Sequence, residues 1–116
     1  MSSQIFNKQK TLDAFGGDEE ILHSVSESFI AELPNELSRL RNAINEGDLE
    51  AIRISTHTLK GQAGTFYAQN AKNIASELEA YSKDNEIETI KDQLEDFEKA
   101  FLELSSEITN TILKKG

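Results

Sequence analysis

Ser55-Thr-His-Thr-Leu-Lys-Gly-Gln-Ala-Gly-Thr-Phe-Tyr67 is the stretch on which the reading of the chain turns. Taken as a helix with the residues before it, Leu49, Ile52, Thr56, Leu59, Ala63 and Phe66 recur at steps of three and four, which makes one core stripe. His57, Lys60, Gly61 and Gly64 recur in the same way on another face. At about 100° per residue that face is centred roughly a third of a turn from the stripe. A histidine is therefore expected to point outward from a packed helix, with a lysine one turn above it and two glycines beside it. Glycine costs roughly 0.8–1.0 kcal/mol against alanine in a helix interior. Two on one face imply that something must come close to that surface. His57 reads as a reactive group offered to a partner.

Working outward, Gly47-Asp48 reads as a helix-terminating glycine followed by an N-cap, a tight turn between antiparallel helices. The preceding helix begins after Asp18, another N-cap with Glu19 and Glu20 in its first turn, and runs to about Glu46. Its inward residues are Leu22, Val25, Phe29, Leu33, Leu37, Leu40 and Ile44; Pro34 lies inside it, and a kink is expected there. Upstream, Ile5, Phe6, Leu12 and Phe15 describe a short amphipathic helix from Ile5 to Phe15 that Gly16-Gly17 stops. Downstream, a helix over about Asn70 to Lys83 turns Ala71, Ile74, Ala75 and Leu78 inward, and Asp84-Asn85 marks the next turn. The last helix carries Ile87, Ile90, Leu94, Phe97, Phe101, Leu104, Ile108 and Ile112 on one stripe. No segment has strand periodicity. The expectation is an all-α fold, an antiparallel up-down-up-down four-helix bundle with a short additional N-terminal helix, formed as one domain over residues 1–116.

Composition narrows the function classes. The net charge is −9, from 21 acidic and 12 basic residues, which disfavours nucleic acid and anionic membrane as partners because both require clustered Lys/Arg. No cysteine is present, so neither a disulfide nor a thiol nucleophile is available. No apolar run approaches the ~18 residues of a membrane-spanning helix, and no charged-then-apolar signal segment follows Met1. A soluble, cytoplasmic, monomeric chain is expected. There is no glycine-rich phosphate loop for binding ATP and no Gly-x-Ser-x-Gly elbow. Glu20-Ile-Leu-His23 has the spacing of a di-iron ligand pair, but such sites need a second copy and two further inward glutamates, so His23 reads as a surface histidine.

His57 is left as the centre of any chemistry. Neutral imidazole dominates in an unperturbed histidine near neutrality and is a competent nucleophile. A phosphoryl group on its ring would carry about two negative charges, and Lys60, one turn on, is placed to offset them. Gly61 and Gly64 either clear space for a bulky partner or let a neighbouring helix pack closely. Ile54, one turn before His57, is either the margin of the core or a docking contact.

His57-Thr-Leu-Lys60-Gly61-Gln-Ala63-Gly64 closely resembles the His-x-Leu-Lys-Gly-x-Ala helix of histidine-containing phosphotransfer (HPt) domains of two-component phosphorelays. Phe15-Gly-Gly-Asp-Glu-Glu, Phe29-Ile-x-Glu-Leu-Pro34, Gly47-Asp48-Leu-Glu-Ala and Ala75-x-x-Leu78-Glu79 are similar to HPt sequences too. The resemblance implies that His57 accepts a phosphoryl group from the phosphoaspartate of a receiver domain, or from an associated histidine kinase, and passes it to another receiver's aspartate. It implies that Lys60 steadies the phosphate, that Gly61 clears space for docking, and that Glu79 contacts the histidine from the neighbouring helix. A carboxylate there would accept the other ring N–H and fix the tautomer; by its spacing alone, Glu79 is a surface partner for Lys83. The implied partners are response-regulator receiver domains and a hybrid sensor histidine kinase, with Mg²⁺ supplied by the receiver and no cofactor of the chain's own. On this reading the protein is a phosphocarrier without enzymatic turnover; the alternative is a helical docking module that carries no phosphate. The sequence departs from the family pattern at Gln62, where a small residue is common, and at Tyr67, where glycine is usual.

Overall fold

The computed structural model describes residues 5–114. Its helices are α1 (Lys8–Ala14), α2 (Glu19–Glu46), α3 (Leu49–Thr65), α4 (Gln69–Lys83) and α5 (Ile87–Ile108), and a π-helical turn over Thr109–Leu113 extends the last. Consecutive long helices pack on one another, and α2 also meets α5, which closes the bundle. Among the described residues there is no strand, and no helix is long and apolar enough to cross a membrane.

The turns form for local reasons. Asp18 accepts from the backbone N–H groups of Glu20 and Ile21 and so starts α2. Gly47 ends that helix at φ 69°, a left-handed backbone that glycine adopts without steric cost, and Asp48 at once caps α3 by accepting from Ala51 N–H. Helix α1 is shorter than the apolar pattern implies. Asn7 caps it, and Ile5 and Phe6 precede it as irregular chain. Phe6 is nonetheless buried, edge-on to Phe66 with ring centroids 6.2 Å apart, while Asn7 N–H donates to Phe66 O at 3.0 Å. Phe29 meets the same ring at 5.3 Å, so the C-terminal end of α3 is gripped from two sides.

The core is the set of inward stripes. Leu22, Leu33, Leu40, Ile52, Leu59, Leu78, Ile90, Phe97, Phe101, Leu104 and Ile108 are almost fully enclosed. Helices α3 and α4 pack closely, and both bury small residues, Ala63 on the first and Ala71 and Ala75 on the second. The end of α5 opens into its π turn where Thr109 Oγ1 donates back to Ser105 O at 2.9 Å, a side-chain bond that loosens regular helical pairing, and Lys114 N–H reaches Thr109 O.

Helix α2 passes through Pro34 without interruption. An interior proline leaves the carbonyl four residues earlier without its helical donor. Pro34 is exposed and no core contact offsets that loss. Pro34→Ala is therefore expected to raise stability by about 1–3 kcal/mol, read as a higher urea midpoint with unchanged slope; an unchanged or lower midpoint would show that the helix is built around the proline.

Candidate functional site

The close approach of α3 and α4 brings together three side chains that are 19 and 22 residues apart in sequence. Glu79, near the C-terminal end of α4, is buried, with 6% of its surface exposed. One carboxylate oxygen, Oε1, accepts from Lys60 Nζ at 2.6 Å. The other, Oε2, lies 3.1 Å from His57 Nδ1. Both partners come from α3, and both oxygens are occupied.

The protonation pattern follows. The Lys60 ammonium, hydrogen-bonded to Glu79, and then the His57 N–H hold its carboxyl below the usual carboxylate range, against the opposing effect of burial. An ionised carboxylate can only accept, so the hydrogen between it and the neutral ring must sit on Nδ1. His57 Nε2 then keeps its lone pair. The His57 side chain is 64% exposed even though its partner is buried, so that lone pair faces outward. The site is an exposed imidazole held by one nitrogen, an arrangement suited to a nucleophile.

The flanks of the ring differ. Arg53, four residues before His57, is on its face of α3, and its guanidinium is held by Glu50. On the α2 side, Ile54 is 53% exposed and lines a shallow groove with Arg39, Asn42 and Glu46. A Cβ added at Gly61 would meet no atom within 4 Å among the described residues, and one at Gly64 would only touch the Lys72 stem at 4.0 Å. Neither glycine serves helix packing inside the bundle. Glu79 is no surface partner for Lys83 either; it is enclosed and engaged elsewhere. His23 is half exposed, 3.6 Å from Glu27 on the next turn. Among the described residues no group of three or more His, Asp or Glu side chains is placed to hold a metal ion.

The two departures in the signature have local consequences. Tyr67 takes a left-handed backbone, φ 55°, the conformation that favours glycine at a helix end, and leaves its ring half exposed near Lys10 Nζ. A residue with a Cβ carries backbone strain there that glycine would not. Gln62 lines a groove with Val25 and Phe29 of α2, and its buried Oε1 has no hydrogen-bond partner among the described residues.

A family model, Hpt domain, matches residues 24–111. The chain belongs to the Hpt domain family. It is similar to the phosphorelay intermediate protein rdeA of Dictyostelium discoideum, 24% identical over 83 residues, 72% of this chain and 33% of that protein. The chain thus spans a third of that curated relative's length. The crystal structure of histidine-containing phosphotransfer protein B (HptB) from Pseudomonas aeruginosa PAO1 superposes with a TM-score of 0.88 at 18% identity, covering 99% of this chain and 100% of that one. At that identity the likeness is one of fold, and the fold is the Hpt helical bundle.

Two measurements test the geometry. Because the Glu79 carboxyl is held low in the folded state, its contribution to stability is complete above the ordinary carboxylate value of 4.5 and is lost as pH falls through the lower native value. The stability advantage of wild type over Glu79→Gln should therefore shrink as pH falls below that ordinary value; an advantage that stays constant through the acid range would remove the ion-paired assignment. Gly61→Ala should stabilise the domain by roughly 0.8–1.0 kcal/mol, the helix-propensity gain in open space, as read from thermal or urea unfolding; a loss would mean that a neighbour does pack there.

Proposed function

We propose that this Hpt domain is a phosphorelay intermediate in two-component signalling and that His57 Nε2 is the atom that carries the phosphoryl group. The observation that carries this reading is the pairing of an exposed imidazole with a buried carboxylate on its other nitrogen, 3.1 Å away. The donors are receiver domains bearing a phosphoaspartate, or a histidine kinase such as a hybrid sensor kinase. The acceptor is the aspartate of a response-regulator receiver domain.

In the transfer, the Nε2 lone pair forms the P–N bond as the P–O bond to the receiver's aspartate breaks, and the electron pair leaves on that carboxylate. The ring keeps its Nδ1 proton, so the loaded imidazole is cationic. Glu79 is placed to stabilise that charge, much as a buried carboxylate stabilises the imidazolium of a hydrolase triad. The cationic ring is a good leaving group, which lets the next receiver take the phosphoryl group without an enzyme. Lys60 offsets charge on the phosphoryl oxygens by turning partly from Glu79 toward them. Metaphosphate-like transfer demands alignment and charge neutralisation. The receiver's Mg²⁺ supplies the larger share of the neutralisation, and this chain needs no metal or cofactor of its own.

On this reading the domain is a carrier and works in the cytoplasm, where its partners reside. Ile54, Gly61 and Gly64 form the part of the face against which a receiver rests, in a transient contact at the small end of interface sizes. The whole protein's partners follow from the same chemistry.

Incubation with phosphorylated receiver domains should place acid-labile phosphate on the wild-type chain. His57→Gln should abolish it completely while leaving the helical circular dichroism and unfolding midpoint near wild type. A wild type that binds receivers but never takes phosphate from them or from a histidine kinase would leave a docking module in place of the carrier.

A further inference from the structure

Arg53 stands on the turn of α3 below His57, as Lys60 stands on the turn above. Residues four apart on a helix have Cβ atoms about 5–6 Å from one another. Helical side chains lean toward the N-terminus, so Lys60 leans over His57 and the His57 ring leans over the turn that holds Arg53. Any group on Nε2 therefore projects above Arg53 on one side and below Lys60 on the other.

The guanidinium is now engaged by Glu50, with Nε 3.1 Å from Oε1 and Nη2 2.6 Å from Oε2. Both members of that pair are solvent-accessible, Glu50 by 67% of its side chain and Arg53 by 37%. Such a pair exchanges readily for a better ligand. A phosphoryl group is one, since the planar guanidinium matches its oxygens two at a time. Glu79 is also near enough to add to the charge favouring the guanidinium, after the larger effect of Glu50.

A charge count shows why a second cation is wanted. Glu79 and Lys60 cancel. A phosphoryl group adds about two negative charges, and the cationic ring offsets one of them. One remains on the phosphoryl oxygens, and moving Arg53 onto them shifts it to the exposed Glu50 carboxylate, where water solvates it. The other cation on this face of α3 is Arg53.

We propose that Arg53 is a second phosphate-binding residue of this site, released from Glu50 to grip the phosphoryl oxygens on His57 from the side opposite Lys60. The proposal rests on the carrier reading, but its test needs no partner protein. The chain is loaded with phosphoramidate, a small phosphoryl donor, and the phosphoryl resonance is titrated by ³¹P NMR. A bound guanidinium favours the dianion and lowers the titration midpoint. Arg53→Gln should raise the midpoint by about half a pH unit, the roughly threefold effect of one exposed charge contact. Arg53→Lys should recover only part of the shift, because a point charge lacks the fork. An unchanged midpoint in Arg53→Gln overturns the proposal and leaves the carrier reading intact. Full recovery by lysine overturns the grip in favour of a diffuse field. A wild type that takes no phosphoryl group from phosphoramidate overturns this proposal together with the free nucleophile on which the carrier reading stands.

Discussion

A carboxylate enclosed between two helices is the constraint on which this bundle's chemistry depends. Burying an ion is costly unless it is paired and hydrogen-bonded. Glu79 meets that condition with two donors from α3, Lys60 at 2.6 Å and His57 at 3.1 Å. Both contacts require one register between α3 and α4, and the alanines at 63, 71 and 75 permit the separation at which it occurs. The core stripes set that register through bulk, and Glu79 makes it matter chemically. Slipping α4 by one turn would leave the packing largely apolar but strand the carboxylate.

The same contact decides which imidazole nitrogen keeps its lone pair. Glutamine at this position could present either an acceptor or a donor to Nδ1 and would leave the tautomer to be settled elsewhere. A glutamate held ionised by a lysine admits only one arrangement, with the proton on Nδ1. The ammonium that keeps Glu79 ionised comes from the turn of α3 just above the ring. Lys60 thus joins the enclosed carboxylate to the face on which the ring is exposed.

The helices were legible because their signals are local. Asp18, Gly47 and Asp48 act within a few residues, and the stripes of α2, α3 and α5 repeat often enough to outweigh single exceptions. The short reach of α1 was not legible. Ile5 and Phe6 have the right spacing for a helix, yet the bond from Asn7 N–H to Phe66 O holds them as a strap. The outward face of α3 could be read from periodicity, and Arg53 shares it by spacing, but its engagement by Glu50 is a matter of geometry. Glu79 is the instructive residue. It adjoins Leu78 at the edge of the α4 stripe, where one helix's periodicity cannot separate a rim residue from an inward one. Its partners lie on another helix, and inter-helix register is not a local property. Only the family resemblance pointed to it.

Gly61 and Gly64 complete the argument by what they lack. Gly47 is explained within the chain, since its backbone sits at φ 69°, where other residues are strained. The two α3 glycines are ordinary helix positions, with open space beside one and a flexible lysine stem beside the other. Alanine would suit the isolated fold better at both. Local choices that oppose the fold and are not repaid by packing point to a requirement outside it. They lie within two turns of the exposed His57 ring, and Ile54 nearby leaves half its surface in water. A bare backbone beside an aimed lone pair suits an approaching body wider than a small molecule, one that must bring its reacting atom down to the level of the ring.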